Sequence, residues 1–202
     1  MTEETKTAKA TARRRELVAA TIAEIGTTGS LDVTVGRIAR RAGVSSALAF
    51  HYFGDKDGLL LAAMRAHLAD YATGVRRALR GADGPAARLD ALIRASFATP
   101  NFQRTAVSAW LNFYVFALTN PTARRLLTVY QRRLRSNLLV GLRPLAGGAA
   151  PGIADRIAGL IDGLYLRAVL NPGDLDGAAA AAHVRAALER ELSKVSQGKS
   201  ND

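Results

Sequence analysis

The segment TVGRIARRAGVSSALAFHYF, residues 34–53, restricts the possible folds of this chain more tightly than any other stretch. Thr34 is a strong N-cap for a helix opening at Val35, its hydroxyl suited to accept a bond from a first-turn amide. Val35, Ile38 and Ala39 then recur at helical spacing on an inward face, which leaves Arg37, Arg40 and Arg41 to face out. Ala42 is small where two helices must approach. Gly43 supplies the left-handed residue that ends the helix, and Val44 the apolar contact that commonly follows. Ser45 caps a second, short helix. Two helices joined by a three-to-four-residue turn containing Gly form the arrangement in which the second enters the major groove of DNA. An αα-corner inside an ordinary bundle uses the same parts, so the residues that follow decide. His51 and Tyr52 are polar or amphipathic on the short helix, Phe53 can anchor it, and Lys56 stands where the next helix starts. Helix-opening amides with a lysine beside them suit a phosphate.

The rest of the chain reads at helical period throughout, and no stretch alternates well enough for a strand. The fold class is therefore all-α: a three-helix helix-turn-helix head and a larger helical bundle, about nine helices in total. The first helix carries Leu17, Val18, Thr21, Ile22 and Ile25 and stops near Gly26–Gly29. Asp55 can cap a long fourth helix through Leu59, Leu60, Ala63, Met64 and Leu68 towards Arg80. Pro85 opens a fifth with Leu89, Leu92, Ile93 and Phe97, and Pro100 breaks the chain. A sixth runs to Asn120-Pro121, and a seventh to about Arg143 with six arginines mostly outward, read as a solvated face. A Gly/Ala/Pro-rich loop is expected over 144–152, then an eighth helix from Ile153 to Leu170, stopped at Asn171-Pro172-Gly173, and a ninth from near Asp176. The division predicted is a flexible basic arm at 1–12, the DNA-binding domain at 13–56, the ligand and dimerisation domain at 57–195, and a frayed tail at 196–202.

Composition narrows the function classes. The chain has no cysteine, which removes disulfides, thiolate zinc sites and a thiol nucleophile together. Its three histidines, His51, His67 and His183, form no ligand-spaced pair, and no glycine-rich phosphate loop follows a strand. No catalytic residue, metal or cofactor is assigned, and an enzyme is disfavoured. There is no apolar run of membrane-spanning length and no signal-peptide core at the N-terminus, so a cytoplasmic protein without a membrane partner is expected. Net charge is +11, yet residues 1–60 hold only nine Lys/Arg against seven Asp/Glu. Local clusters therefore matter more than the total: Lys6, Lys9, Arg13, Arg14 and Arg15, then Arg37, Arg40, Arg41 and Lys56.

The ordered set Thr34, Ile38-Ala39, Ala42-Gly43-Val44-Ser45, His51-Tyr52-Phe53, Lys56 and Leu59-Leu60 resembles the tetracycline-repressor type of bacterial one-component regulators. That resemblance implies a DNA-binding head, a helical ligand body and dimeric repression at double-stranded operator DNA. It implies phosphate contacts from Thr34, Tyr52 and Lys56, with Ser45, Ser46, Ala47, Leu48 and His51 at or near base edges; Arg37 and Phe50 complete the candidate DNA face. Two positions depart from the common pattern: Ala47 replaces a frequent Gly, and Phe50 a frequent aromatic hydroxyl. With Ala47, Leu48 and Ala49 apolar, thymine methyl contacts, DNA shape and His51 carry more of the expected specificity.

Residues 40–60, 110–113, 123–145 and 159–170 add a narrower resemblance, to the BetI-type, choline-responsive repressors. A quaternary ammonium effector calls for aromatic faces and a carboxylate. Trp110, Phe113, Tyr114, Tyr130, Asp162 and Tyr165 are the candidates, although an aromatic stripe at helical spacing is more often core. The eighth helix, with Ile153, Ile157, Leu160 and Leu164, is the expected homodimer seam, and an internal core helix is the alternative. Two other readings remain open: a regulator of this type answering a different ligand, and an architectural DNA-binding protein.

Overall fold

The computed structural model describes residues 3–99, 101–171 and 173–200. The breaks expected at Pro100 and Pro172 and the outermost residues of the arm and tail lie outside them. Among the described residues there are nine α-helices and no strand: α1 (Glu3–Thr28), α2 (Val35–Arg41), α3 (Ser46–Phe53), α4 (Lys56–Arg80), α5 (Gly84–Ser96), α6 (Arg104–Thr119), α7 (Pro121–Ala146), α8 (Ala150–Leu170) and α9 (Gly177–Ser200).

Most of these helices begin where a short polar side chain can take an orphan amide. The Thr34 hydroxyl accepts from the Arg37 N–H, that of Ser45 from the Leu48 N–H, and the Asp55 carboxylate from the Gly58 N–H. Asn120 Oδ1 accepts from two amides, those of Thr122 and Ala123, and Asp176 caps α9 through the Ala179 N–H.

Three boundaries differ from the sequence expectation. Residues 3–12, read as a flexible arm, form the opening turns of α1. Glu, Lys and Ala are good helix formers and the stretch holds no Gly or Pro, so nothing in it stops the helix. Residues 196–200, read as a frayed tail, continue α9 despite Gly198. The loop expected at 144–152 shrinks to a 3₁₀ turn at Gly147–Ala149, because α7 continues through Pro144, forgoing that residue's backbone bond, and Pro151 suits the first turn of α8.

The chain forms two compact units, residues 1–69 with 105–126, and residues 70–104 with 127–202. The first unit buries Leu17, Ile25, Ile38, Leu59, Met64, Val107 and Phe113. At Gly26 a Cβ would stand 2.2 Å from the Thr105 carbonyl oxygen, so only glycine allows α1 to lie so close to the backbone of α6. The second unit buries Leu89, Leu92, Ile93, Leu138, Leu142, Ile153 and Ile161, and packs α9 against both α5 and α8. Within it, the Arg104 guanidinium donates to the carbonyls of Val169, Asn171 and Gly173, satisfying acceptors that the end of α8 leaves open.

Candidate functional site

The head presents α3 almost bare. Of its eight residues only Ala49 is buried; Ser46, Ala47, Phe50 and His51 are exposed, and Leu48, Tyr52 and Phe53 partly so. Gly43, at φ 65°, makes the turn that sets α3 across α2, with nothing within 4 Å of where a Cβ would be. Thr34 and Ser45 are exposed as predicted. Both hydroxyl oxygens already serve as caps, which leaves each its O–H to donate to a phosphate or base. Lys56 is the first residue of α4, next to the Asp55 cap.

Arg37 is less free than its sequence position implies. One of its terminal nitrogens lies 2.6 Å from Glu24 Oε1, and Arg41 Nε lies 2.7 Å from Glu24 Oε2. Glu24, on α1, is the buried member, with 6% of its side chain exposed against 52% for Arg37 and 41% for Arg41. The hydrogen bond from Arg41 is the main reason its carboxyl stays below the usual range, burial opposing and the Arg37 charge assisting. One carboxylate thus braces α1 to α2 and holds two guanidinium groups, leaving a net positive charge at the surface. Sequence reasoning missed this residue, since nothing local distinguishes Glu24 from any other acidic residue on an amphipathic helix.

The six predicted effector residues divide between the two units. In the first, Trp110 stacks on His67 with ring centroids 5.5 Å apart and planes 20° apart; Tyr114 meets Trp110 edge-on at 5.2 Å and Phe113 lies tilted 6.2 Å from His67. Phe113 is fully buried and Trp110 nearly so. Burial pushes His67 down to about 4, so the imidazole is neutral near pH 7. This group has the character of aromatic packing around a neutral ring.

The second unit holds Tyr130, Asp162 and Tyr165 together with a residue that sequence reasoning did not single out, Tyr71. Tyr130 packs edge-on against Tyr71 at 5.4 Å. The Tyr71 hydroxyl lies 3.2 Å from Ser96 Oγ, which itself donates to the Leu92 carbonyl at 3.0 Å. Tyr165 donates to the backbone carbonyl of Ser96, its ring against Phe97 and Phe102. Burial raises the Tyr71 hydroxyl above its ordinary value, and the negative charge of Asp162 acts in the same direction. Aromatic rings therefore meet around Tyr71 and Ser96, within electrostatic reach of Asp162. The sequence signal for Tyr71 is helical: it continues the Leu60, Met64, His67 face of α4. A separate cleft of about 560 Å³ in this unit is lined by Asp70, Gly74 and Arg77 of α4 and Arg94 of α5 among others, and by none of the six.

The expected dimer seam needs correction at two positions. Ile153 and Ile157 are 0% and 1% exposed in the single chain, so a partner has nothing further to cover there. They point inward with Ile161 and Tyr165. Leu160 and Leu164 are partly exposed, Leu166 and Leu170 are 48% and 71% exposed, and Gly159 and Gly163 have open space above them. Helical period explains the error: α8 is apolar around much of its circumference, so composition does not tell which face is internal.

Residues 17–63 match the family of bacterial regulatory proteins of the tetR type, and residues 85–193 match the C-terminal domain of BetI-type transcriptional repressors. The HTH-type transcriptional regulator BetI of Brucella suis biovar 1 is 45% identical over 182 residues, 90% of this chain and 92% of that protein. BetI of Agrobacterium fabrum is 45% identical over 187 residues, 92% of this chain and 91% of that protein. Among solved structures, a transcriptional regulator from Pseudomonas aeruginosa PAO1 superimposes with a TM-score of 0.78 at 26% identity, over 90% of this chain and 91% of its own. A regulator from Saccharomonospora viridis, crystallised in complex with choline, gives 0.77 at 22% identity over 89% and 96%; that likeness is one of fold.

Proposed function

This chain belongs to the tetR family of bacterial regulatory proteins, in its BetI-type branch, and from that premise we propose how its parts divide the work. It is a sequence-specific DNA-binding transcriptional regulator. Residues 13–56 read the operator and residues 57–195 bind the effector and a second copy of the chain. Thr34, Tyr52 and Lys56 contact phosphates, while Ser45, Ser46, Ala47, Leu48, Phe50 and His51 face the bases. The exposed apolar surface of α3 favours readout through thymine methyl groups, with His51 as the main hydrogen-bonding group. The protein acts in the cytoplasm as a homodimer. Leu160, Leu164, Leu166 and Leu170 supply the apolar side of the seam, and a two-fold dimer suits two half-sites.

The effector is a quaternary ammonium compound, choline first among them. The observation that carries this reading is the grouping of Tyr71 and Tyr165 on Ser96 with Tyr130 packed on Tyr71, aromatic rings within reach of the Asp162 charge. Trp110, Phe113 and Tyr114 are assigned to packing around His67, not to the cation. The effector releases the operator by favouring a spacing of the two heads that no longer fits successive major grooves, since only differential affinity moves the equilibrium.

Thermal unfolding with choline, betaine aldehyde and glycine betaine tests this. A ligand at a hundredfold excess over its Kd stabilises the fold by about 2.7 kcal/mol. The expected result is a concentration-dependent rise with choline that Asp162→Asn abolishes and Tyr114→Phe leaves intact. No rise with any of the three removes the quaternary ammonium reading and leaves the DNA-binding regulator in place.

A further inference from the structure

We infer that Arg14 is a DNA-contacting residue, its guanidinium held beside the rings of Tyr52 and Phe53 with its N–H groups left to meet a backbone phosphate. Arg14 precedes the stretch matched to the tetR family, which starts at residue 17. Its guanidinium carbon lies 5.8 Å from the Tyr52 ring centroid and 5.3 Å from that of Phe53, within cation–π range of both. The two rings are nearly perpendicular, 6.4 Å apart at 80°, and His51 packs on Tyr52 at 5.4 Å. An arginine of α1 is thereby fastened to the exposed C-terminal end of the helix that enters the groove.

Stacking occupies the faces of a guanidinium and leaves its in-plane donors available. For Arg14 no hydrogen bond or ion pair within the described residues uses them, and the residue is exposed. Its neighbour differs: Arg13 lies 2.8 Å from Glu16 and is spent on that pair. Arg14 therefore brings a positive charge and unspent N–H donors to a position beside Tyr52. That combination suits a phosphate and carries no base information. The inference rests on α3 being the groove-entering helix.

The test is titration of full-length protein against two labelled duplexes across a range of salt concentrations, one of random sequence and one selected by the wild-type chain. Arg14→Ala is expected to weaken both about tenfold per bound head and to lower the salt slope by about 0.9 per head, with the ratio between duplexes unchanged. Arg14→Gln gives the same loss while keeping a long side chain against the rings, so a folding defect in the alanine variant does not decide the outcome. Arg14→Lys retains the slope but loses several-fold in affinity, because a strongly hydrated ammonium has fewer donors and a weaker hold on the rings. Arg13→Ala leaves the slope unchanged. An unaltered slope in Arg14→Ala and Arg14→Gln, with only a lower melting temperature, overturns the inference and makes the stack structural. A wild-type chain that selects no sequence defeats the groove reading instead, while the slope on random DNA still scores Arg14.

Discussion

Removing the Glu24 carboxylate is predicted to cost the head about 2–3 kcal/mol. The residue makes two charge-assisted bonds, 2.6 Å to Arg37 and 2.7 Å to Arg41, each of a kind contributing about 1.5–3 kcal/mol. Both guanidinium groups are about half exposed and recover water when the carboxylate goes, so the low end of that range applies. Glu24→Ala should therefore lower the melting temperature by roughly 5–10 °C, at about 2–4 °C per kcal/mol for a chain of this size. Glu24→Gln keeps one acceptor for Arg41 and should lose about half as much. Acidity separates this from a packing effect. The folded carboxyl sits below its ordinary 4.5, mainly through the Arg41 bond, so its stabilisation is complete above that value and disappears as pH falls through the lower folded one. In calorimetry the gap between wild type and Glu24→Gln should be constant near neutrality and close below about pH 4.5. A gap unchanged through that acid window would refute the argument that the charge braces α1 to α2.

His67 gives a second acid window at higher pH. Its folded value is depressed from 6.5 to about 4, so the unfolded chain takes the proton first and about 3 kcal/mol of stability is lost as pH falls between those values. His67→Leu should flatten the dependence of melting temperature on pH over that interval; an equally steep variant would assign the sensitivity elsewhere. Two glycines should respond oppositely to asparagine. Gly43→Asn is expected to be nearly neutral in urea unfolding, because its φ of 65° suits asparagine and no atom is near. Gly26→Asn should cost several kcal/mol or prevent folding, since a Cβ there meets the Thr105 carbonyl at 2.2 Å. Equal effects at the two positions would contradict the reasons given for them.

Local features of the chain were the legible ones. The caps at Thr34 and Ser45 and the turn at Gly43 act within three or four residues, so the head could be read from residues 34–53 alone. The start of α1 misled because charged, alanine-containing sequence serves equally well as a solvated tail and as a helix. Contacts between distant residues left no mark: Glu24 with Arg37 and Arg41, Arg104 with the end of α8, and Arg14 over Tyr52. The effector residues show the same limit. Spacing put Trp110, Phe113 and Tyr114 on one helix face without showing that Trp110 and Phe113 pack on the neutral ring of His67. On α8, spacing located an apolar helix without saying which face is internal, which is why Ile153 and Ile157 were expected at a seam although the single chain already buries them.

Selection of duplex DNA from a random pool by the full-length chain, followed by footprinting of the winners, tests the central claim most directly. The account predicts a pseudo-palindrome with half-sites about one helical turn or a multiple of it apart, rich in A·T where the apolar face of α3 meets the bases. It is bound at least about a thousandfold more tightly than random sequence, and Tyr52→Ala weakens both. Failure to enrich any sequence, or enrichment of G-rich sites indifferent to changes in residues 45–52, would contradict it.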